Sequence, residues 1–161
     1  MSQNTESTVS KSSKDTMHVK RNTVTCDTTA GTFRIELRPD WSPLGAARLQ
    51  SLVEHNFFNG VTFNRVNPQF LVQFGIRTPE LPHIPVPASI RDDPHRPDIP
   101  FTDGVVSFAG SGLHSRQAQI FITYGTQPGL GKSSWETPIG IVKDMAVVRQ
   151  IYSKYGDMPP W

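Results

Sequence analysis

Phe63-Asn64-Arg65-Val66-Asn67-Pro68-Gln69-Phe70-Leu71-Val72-Gln73-Phe74-Gly75 is the stretch on which the reading of this chain turns. Arg65, Gln69 and Gln73 interrupt an otherwise apolar run that is too short and too polar to span a membrane. Asn67-Pro68 marks a turn, so the stretch reads as two short strands in which alternate residues share a face. Phe63, Arg65, Phe70 and Gln73 can then line one surface. An arginine flanked by Phe63, Val66, Phe70 and Leu71 either snorkels to water or pairs with a carboxylate, unless it has chemistry to do.

Upstream, Thr23-Val24-Thr25-Cys26-Asp27-Thr28 and Thr32-Phe33-Arg34-Ile35-Glu36-Leu37 flank Ala30-Gly31, and Phe33, Ile35 and Leu37 alternate with polar residues. That pattern is a β-hairpin with one buried face. Ser42 suits a helix N-cap and Pro43 a first helical position, and Leu44, Ala47, Leu49, Leu52 and Val53 recur at helical spacing to about His55. Residues 1 to about 20 are Ser-, Thr-, Lys- and Asn-rich with almost no large apolar side chains, and are expected to be a disordered tail (1–21) ahead of one domain (22–161).

Downstream, residues 77–103 hold half of the fourteen prolines, a loop of a length that is usually functional. Strand patterning resumes at residues 104–109 and 119–124, separated by a Gly- and Ser-bearing loop at 110–116, and again at 139–142; residues 146–152 fit a second helix. A mainly β chain with two helices fits a closed antiparallel barrel, which removes sheet edges.

A net charge of +2, from 16 basic and 14 acidic residues, gives no reason to propose nucleic acid as a partner. A single cysteine, Cys26, and a polar start without an apolar signal core point to a reducing, cytoplasmic setting with no membrane contact, and a monomer is expected. Gly129-Leu130-Gly131-Lys132-Ser133 lacks the upstream glycine of a phosphate-binding loop, since Thr126 stands there. Histidines 18, 55, 83, 95 and 114 show no close ligand spacing, so neither a metal nor another cofactor is expected. Ser111 and His114 lie close, but nothing marks the orienting acid or oxyanion hole that hydrolysis requires. Gln119 and Phe121, two apart on a strand, share a face that can join Arg65 and its phenylalanines. Such a set suits a small apolar ring attached to a polar peptide group.

These two constellations resemble the cyclophilins, the peptidyl-prolyl isomerases (rotamases). The family's Phe-His-Arg-x-x-x-x-Phe-Met-x-Gln-Gly-Gly signature is similar to Phe63-Asn64-Arg65 through Phe70-Leu71-Val72-Gln73-Phe74-Gly75, with Arg65, Phe70 and Gln73 in register. Its second segment, Ser-Met-Ala-Asn-Ala-Gly to Ser-Gln-Phe-Phe-Ile, resembles Ser107-Phe108-Ala109-Gly110-Ser111-Gly112 through Ala118-Gln119-Ile120-Phe121-Ile122. A looser likeness runs from about Thr23 to Tyr152.

The resemblance implies a closed eight-stranded antiparallel barrel capped by two helices, and an enzyme that assists protein folding by accelerating rotation about X-Pro bonds in peptides and client proteins. Arg65, Gln73 and Phe70 would be catalytic; Phe70, Leu71, Phe121 and Leu130 would hold the proline ring. Gln73 would hold Arg65 and the substrate carbonyl, Gly110 would offer backbone groups to the residue before proline, and Ala109 and Gln119 would border the neighbouring peptide site. Four features depart from the pattern. Glu136 or Trp135 stands where the family has its pocket histidine, and Gly129 replaces a tryptophan, which argues against tight cyclosporin binding. Gly110 replaces the family's asparagine, and the chain ends at Trp161, where relatives continue into a last strand pairing with the first. These departures leave a second function open: a proline-peptide binding or scaffold module with weak or no catalysis.

Overall fold

The computed structural model describes residues 15–151. Eight strands form one antiparallel sheet: β1 (Thr16–Lys20), β2 (Thr23–Thr28), β3 (Gly31–Leu37), β4 (Phe63–Asn67), β5 (Leu71–Phe74), β6 (Val105–Phe108), β7 (Ile120–Thr123) and β8 (Gly140–Ile141). Their order is β1-β2-β3-β8-β6-β7-β5-β4. The predicted hairpin is β2–β3, in which Val24, Cys26, Phe33, Ile35 and Leu37 all point into the core. Its turn is set by Thr28, whose hydroxyl donates to Gly31 O at 2.7 Å.

Residues 16–20, read from composition as part of the tail, instead form β1. Arg21 and Asn22 both have positive φ (51° and 63°), and Lys20 faces Thr23 across this two-residue turn. Positive φ at both central positions matches the right-handed strand twist, so the turn folds β1 back onto β2. Met17 and Val19 then pack on the core. β1 thus covers the flank of β2 opposite β3. Residues 1–14 and 152–161 lie outside the described residues, as does Tyr152 of the predicted second helix.

The sheet curls but does not close. β1 and β4 are its edges and do not pair with each other, so the expected closed barrel is replaced by an open half-barrel. Closure would need a continuous ladder between those edges. Near that seam Gly60 N donates to Asp15 O at 2.8 Å. Among the described residues a single α-helix, α1 (Pro43–Glu54), packs against β1. Its buried residues are Gly45, Ala46, Leu49, Leu52 and Val53, whereas Leu44 and Ala47 face solvent, so the predicted apolar face is rotated at its start. Ser42 occupies the N-cap position without capping through its side chain. The orphan amides of Leu44 and Gly45 donate instead to the Asp93 carboxylate at 2.8 and 2.9 Å. The second expected helix is, among the described residues, a 3-10 turn at Val148–Gln150.

The strands β5, β6 and β7 carry the architecture of the site, because the period-two alternation gives each of them two faces. Val72, Phe74, Val106, Phe108, Ile120 and Ile122 face the main core. Leu71, Val105 and Phe121 face outward and are nevertheless buried, in a second apolar cluster with Phe101.

Candidate functional site

The outer cluster forms the floor of the site. Phe101 stacks on Phe121 with ring centroids 5.9 Å apart, and half-buried Phe70, Ala109 and Leu130 pack around them. The four apolar residues expected to hold a proline ring, Phe70, Leu71, Phe121 and Leu130, therefore meet in one patch. Phe101 and Val105 complete the floor and escaped the sequence reading. Phe101 is the only aromatic residue within residues 77–103, which was the available signal.

The polar side of the site comes from the β4–β5 hairpin. Its turn is built on Asn67, whose carbonyl accepts from Phe70 N at 2.9 Å and whose side-chain oxygen accepts from Gln69 N at 3.0 Å. Arg65 and Gln73 are direct ladder partners, and Gln73 faces Phe121 on its other side. The Arg65 guanidinium carbon lies 5.4 Å from the centroid of the Phe70 ring. Gln73 Nε2 donates to Gln119 Oε1 at 2.8 Å, joining the two amides that the motifs supplied 46 positions apart. Phe63 does not join this surface. The register shifts between Phe63 and Arg65, and the bulge sends Phe63 toward the core, against Phe74 at 5.3 Å, while Arg65 stays opposite Gln73.

Gly75 sets how closely this hairpin approaches the strand that carries Gln119. With φ of +124°, an added Cβ would sit 2.3 Å from Ala118 O and 2.7 Å from Gln119 Cα. Only glycine permits that approach.

The segment from 129 to 140 shows where Trp135 and Glu136 lie. Glu136 Oε1 accepts from Gly131 N at 3.0 Å and so braces its own loop. Trp135 packs against Gly110: a Cβ on that glycine would be 2.8 Å from the indole Cδ1. Gly110 is exposed and directly follows Ala109, whose amide donates to Gln119 O at 2.9 Å. Residues 126–136 are turns and bends, without the strand and helix that a phosphate loop joins. His114 Nδ1 accepts from Asp92 N at 2.9 Å, which engages it away from Ser111. Among the described residues no three His, Cys, Asp or Glu side chains converge as a metal site, and no helix is long and apolar enough to cross a membrane.

Residues 23–158 match the family model for the cyclophilin type peptidyl-prolyl cis-trans isomerase/CLD. Among curated proteins, the peptidyl-prolyl cis-trans isomerase-like 1 of Aspergillus niger is 32% identical over 132 residues, covering 80% of each chain. A peptidyl-prolyl cis-trans isomerase of Synechococcus elongatus is 31% identical over 112 residues, 65% of this chain and 70% of the relative. Among solved structures, a Cryptosporidium parvum cyclophilin type isomerase crystallised in the presence of the dipeptide Ala-Pro superposes with a TM-score of 0.70 at 19% identity, covering 86% of this chain and 91% of that one. The AquaCyp293 cyclophilin of Hirschia baltica gives 0.65 at 19% identity, covering 86% and 70%. At that identity the structural likeness speaks for the fold, and the sequence match for the family. With a family model spanning both motifs and the site they build, this chain belongs to the cyclophilin-type peptidyl-prolyl cis-trans isomerases.

Proposed function

We propose that this chain catalyses cis–trans rotation about X-Pro bonds on the outer face of β5, β6 and β7, with Arg65 stabilising the twisted amide. Amide resonance imposes a barrier of about 20 kcal/mol on that rotation, which leaves the uncatalysed bond isomerising over tens to hundreds of seconds. No covalent bond is made or broken; a catalyst need only favour the twisted state, in which the prolyl nitrogen regains its lone pair, over either planar one. A guanidinium donating to that nitrogen, or to the rotating carbonyl, does so without proton transfer. The proline ring would rest on Phe70, Leu71, Phe121 and Leu130. Gln73 would orient Arg65 and the substrate carbonyl, while Ala109, Gly110 and Gln119 would border the flanking peptide. Proline-containing peptides and client proteins are the partners this reading implies.

One observation carries the proposal: a cation and a linked pair of amides stand beside an apolar floor that lies outside the main core. Apolar side chains gathered beside a few convergent polar groups suit a small-ligand site. The test is a protease-coupled or NMR-exchange assay on X-Pro peptides. Arg65→Ala should cut kcat/KM by about a hundredfold, the scale of losing one transition-state donor. A variant within a factor of two of the parent refutes the role given to Arg65. Peptide bound by the parent without acceleration over buffer would instead favour the scaffold reading.

A further inference from the structure

Three loops converge on one acidic dipeptide that has no place in the chemistry above. Asp92 Oδ1 accepts from His114 N at 3.0 Å, and Asp92 N donates to His114 Nδ1 at 2.9 Å. Asp92 Oδ2 accepts from the Ser134 hydroxyl at 3.0 Å. The Asp92 side chain is only 7% exposed, and its bond to Ser134 is the more sheltered, since His114 is 53% exposed. Its neighbour Asp93 anchors the same loop to the start of α1 and lies 3.1 Å from Arg116 Nη1. Residues 110–116 and 131–137 are thereby held against each other through Asp92.

Gly110 and Trp135 are where that arrangement reaches the site. The indole lies over the side of Gly110 that has no side chain, and an added Cβ would be 2.8 Å from Cδ1, 2.9 Å from Ser115 Oγ and 3.3 Å from Cγ. Ser115 Oγ accepts from Ser111 N at 2.8 Å and donates to Gly112 O at 2.7 Å, which fixes the loop around the glycine. Ala109 packs on the apolar floor, so half-buried Trp135 extends that surface past Ala109 and over Gly110. Leu113, at the tip of the same loop, is 68% exposed. Of the charged groups on these two loops, Arg116 is fully buried, Glu136 is engaged with Gly131 N, and Lys132 is exposed.

We infer that Trp135 is a specificity-determining residue whose indole walls the subsite for the residue before the proline and favours a large apolar or aromatic side chain there, with Asp92 as the residue that positions it. The inference rests on the reading that seats the proline ring on Leu71, Phe121 and Leu130. An aromatic face offers area and stacking to an apolar or aromatic side chain and nothing to a carboxylate.

The test compares the peptides succinyl-Ala-Phe-Pro-Phe-p-nitroanilide and succinyl-Ala-Ala-Pro-Phe-p-nitroanilide, by dissociation constant from calorimetry and by kcat and KM. The parent should favour the Phe-Pro peptide about tenfold, the discrimination an apolar subsite supplies. Trp135→Ala should bring that ratio to about one through KM, and Trp135→Phe should retain most of it. Asp92→Ala should lower the ratio in the same direction. Preference unchanged within twofold in Trp135→Ala, or no preference in the parent, overturns the inference while leaving the catalytic reading intact. Binding preference without turnover, abolished in Trp135→Ala, sinks the catalytic reading and upholds the wall. Should Trp135→Ala fail to fold, Trp41→Phe combined with Trp161→Phe leaves Trp135 as the sole indole. Its emission must then shift on adding the Phe-Pro peptide, and an unchanged spectrum at saturation refutes the contact.

Discussion

Removing the Asp93 carboxylate should destabilise the fold more than removing its cationic partner, because the two halves of this buried pair are unequally supported. Both side chains are 0% exposed. Asp93 has three partners: Leu44 N, Gly45 N and Arg116, and the first two add the favourable field of a helix N-terminus. Arg116 Nη1 lies 3.1 Å from Asp93 Oδ2 yet makes no aligned hydrogen bond, and Nε has no hydrogen-bond partner either. Its other support is Nη2 donating to Arg91 O at 2.6 Å and the Phe108 ring at 5.9 Å. Breaking a buried pair by deleting one partner costs about 3–5 kcal/mol, because the remaining charge is left uncompensated. Asp93→Ala additionally strands two helix amides, each worth about 1 kcal/mol as a lost cap, so its loss belongs near the top of that range. Arg116→Met leaves the carboxylate with both amides and should cost about 2 kcal/mol less than Asp93→Ala. Urea denaturation followed by far-UV circular dichroism measures both, and a loss of about 4 kcal/mol corresponds to a melting temperature lower by roughly 8–16 °C in a chain of this size. Asp93→Ala within 1 kcal/mol of the parent, or Arg116→Met the more damaging of the two, would refute the reasoning.

Gly75→Ala should cost several kcal/mol and lower isomerase activity together, since the new Cβ would overlap Ala118 O and the backbone sits at φ +124°; equal urea midpoints for variant and parent would contradict the close approach. Burial, with the nearby Asp27 charge second, raises the Cys26 thiol well above its usual range. Ellman's reagent at pH 8 should therefore label the folded chain about a thousandfold more slowly than the urea-unfolded chain, since the thiol opens only with the core around it. The hydrogen bond from Arg149, supported by Gly125 N, lowers the Asp103 carboxyl below its ordinary value. A depressed folded-state value means that this contribution is present above the unfolded carboxylate range and is lost as pH falls through the lower, folded one. Asp103→Asn should thus flatten the decline in melting temperature as pH falls below about 4, and parallel pH profiles for variant and parent would count against the pair.

Local patterning carried much of the fold. Alternation in residues 23–37 specified a hairpin and its inward face, and the turn at Asn67-Pro68 separated β4 from β5 as expected. Both are decided within a few residues of chain, where period and turn chemistry suffice. At β1 a polar composition outweighs a weak strand signal, Met17 and Val19 alternating ahead of Arg21-Asn22. In the same way Ser42 reads as a cap from its position, yet the acceptor that serves α1 is Asp93, far along the chain. No local rule reports a partner so distant.

The sequence by itself determined which residue types are available to the site and in what order: an arginine, two phenylalanines and two glutamines in two motifs, on strands whose alternation gives each a second face. Only the tertiary structure decided which of them meet. The bulge between Phe63 and Arg65 parts a phenylalanine from an arginine that simple alternation would place together, because one extra residue reverses the face. Strand pairing brings Gln73 to Gln119, Phe101 arrives from the proline-rich loop to stack on Phe121, and Trp135 settles on a glycine that leaves it room. Each of these depends on the close packing of segments remote in sequence, where volume and register are shared among elements and written in none of them alone.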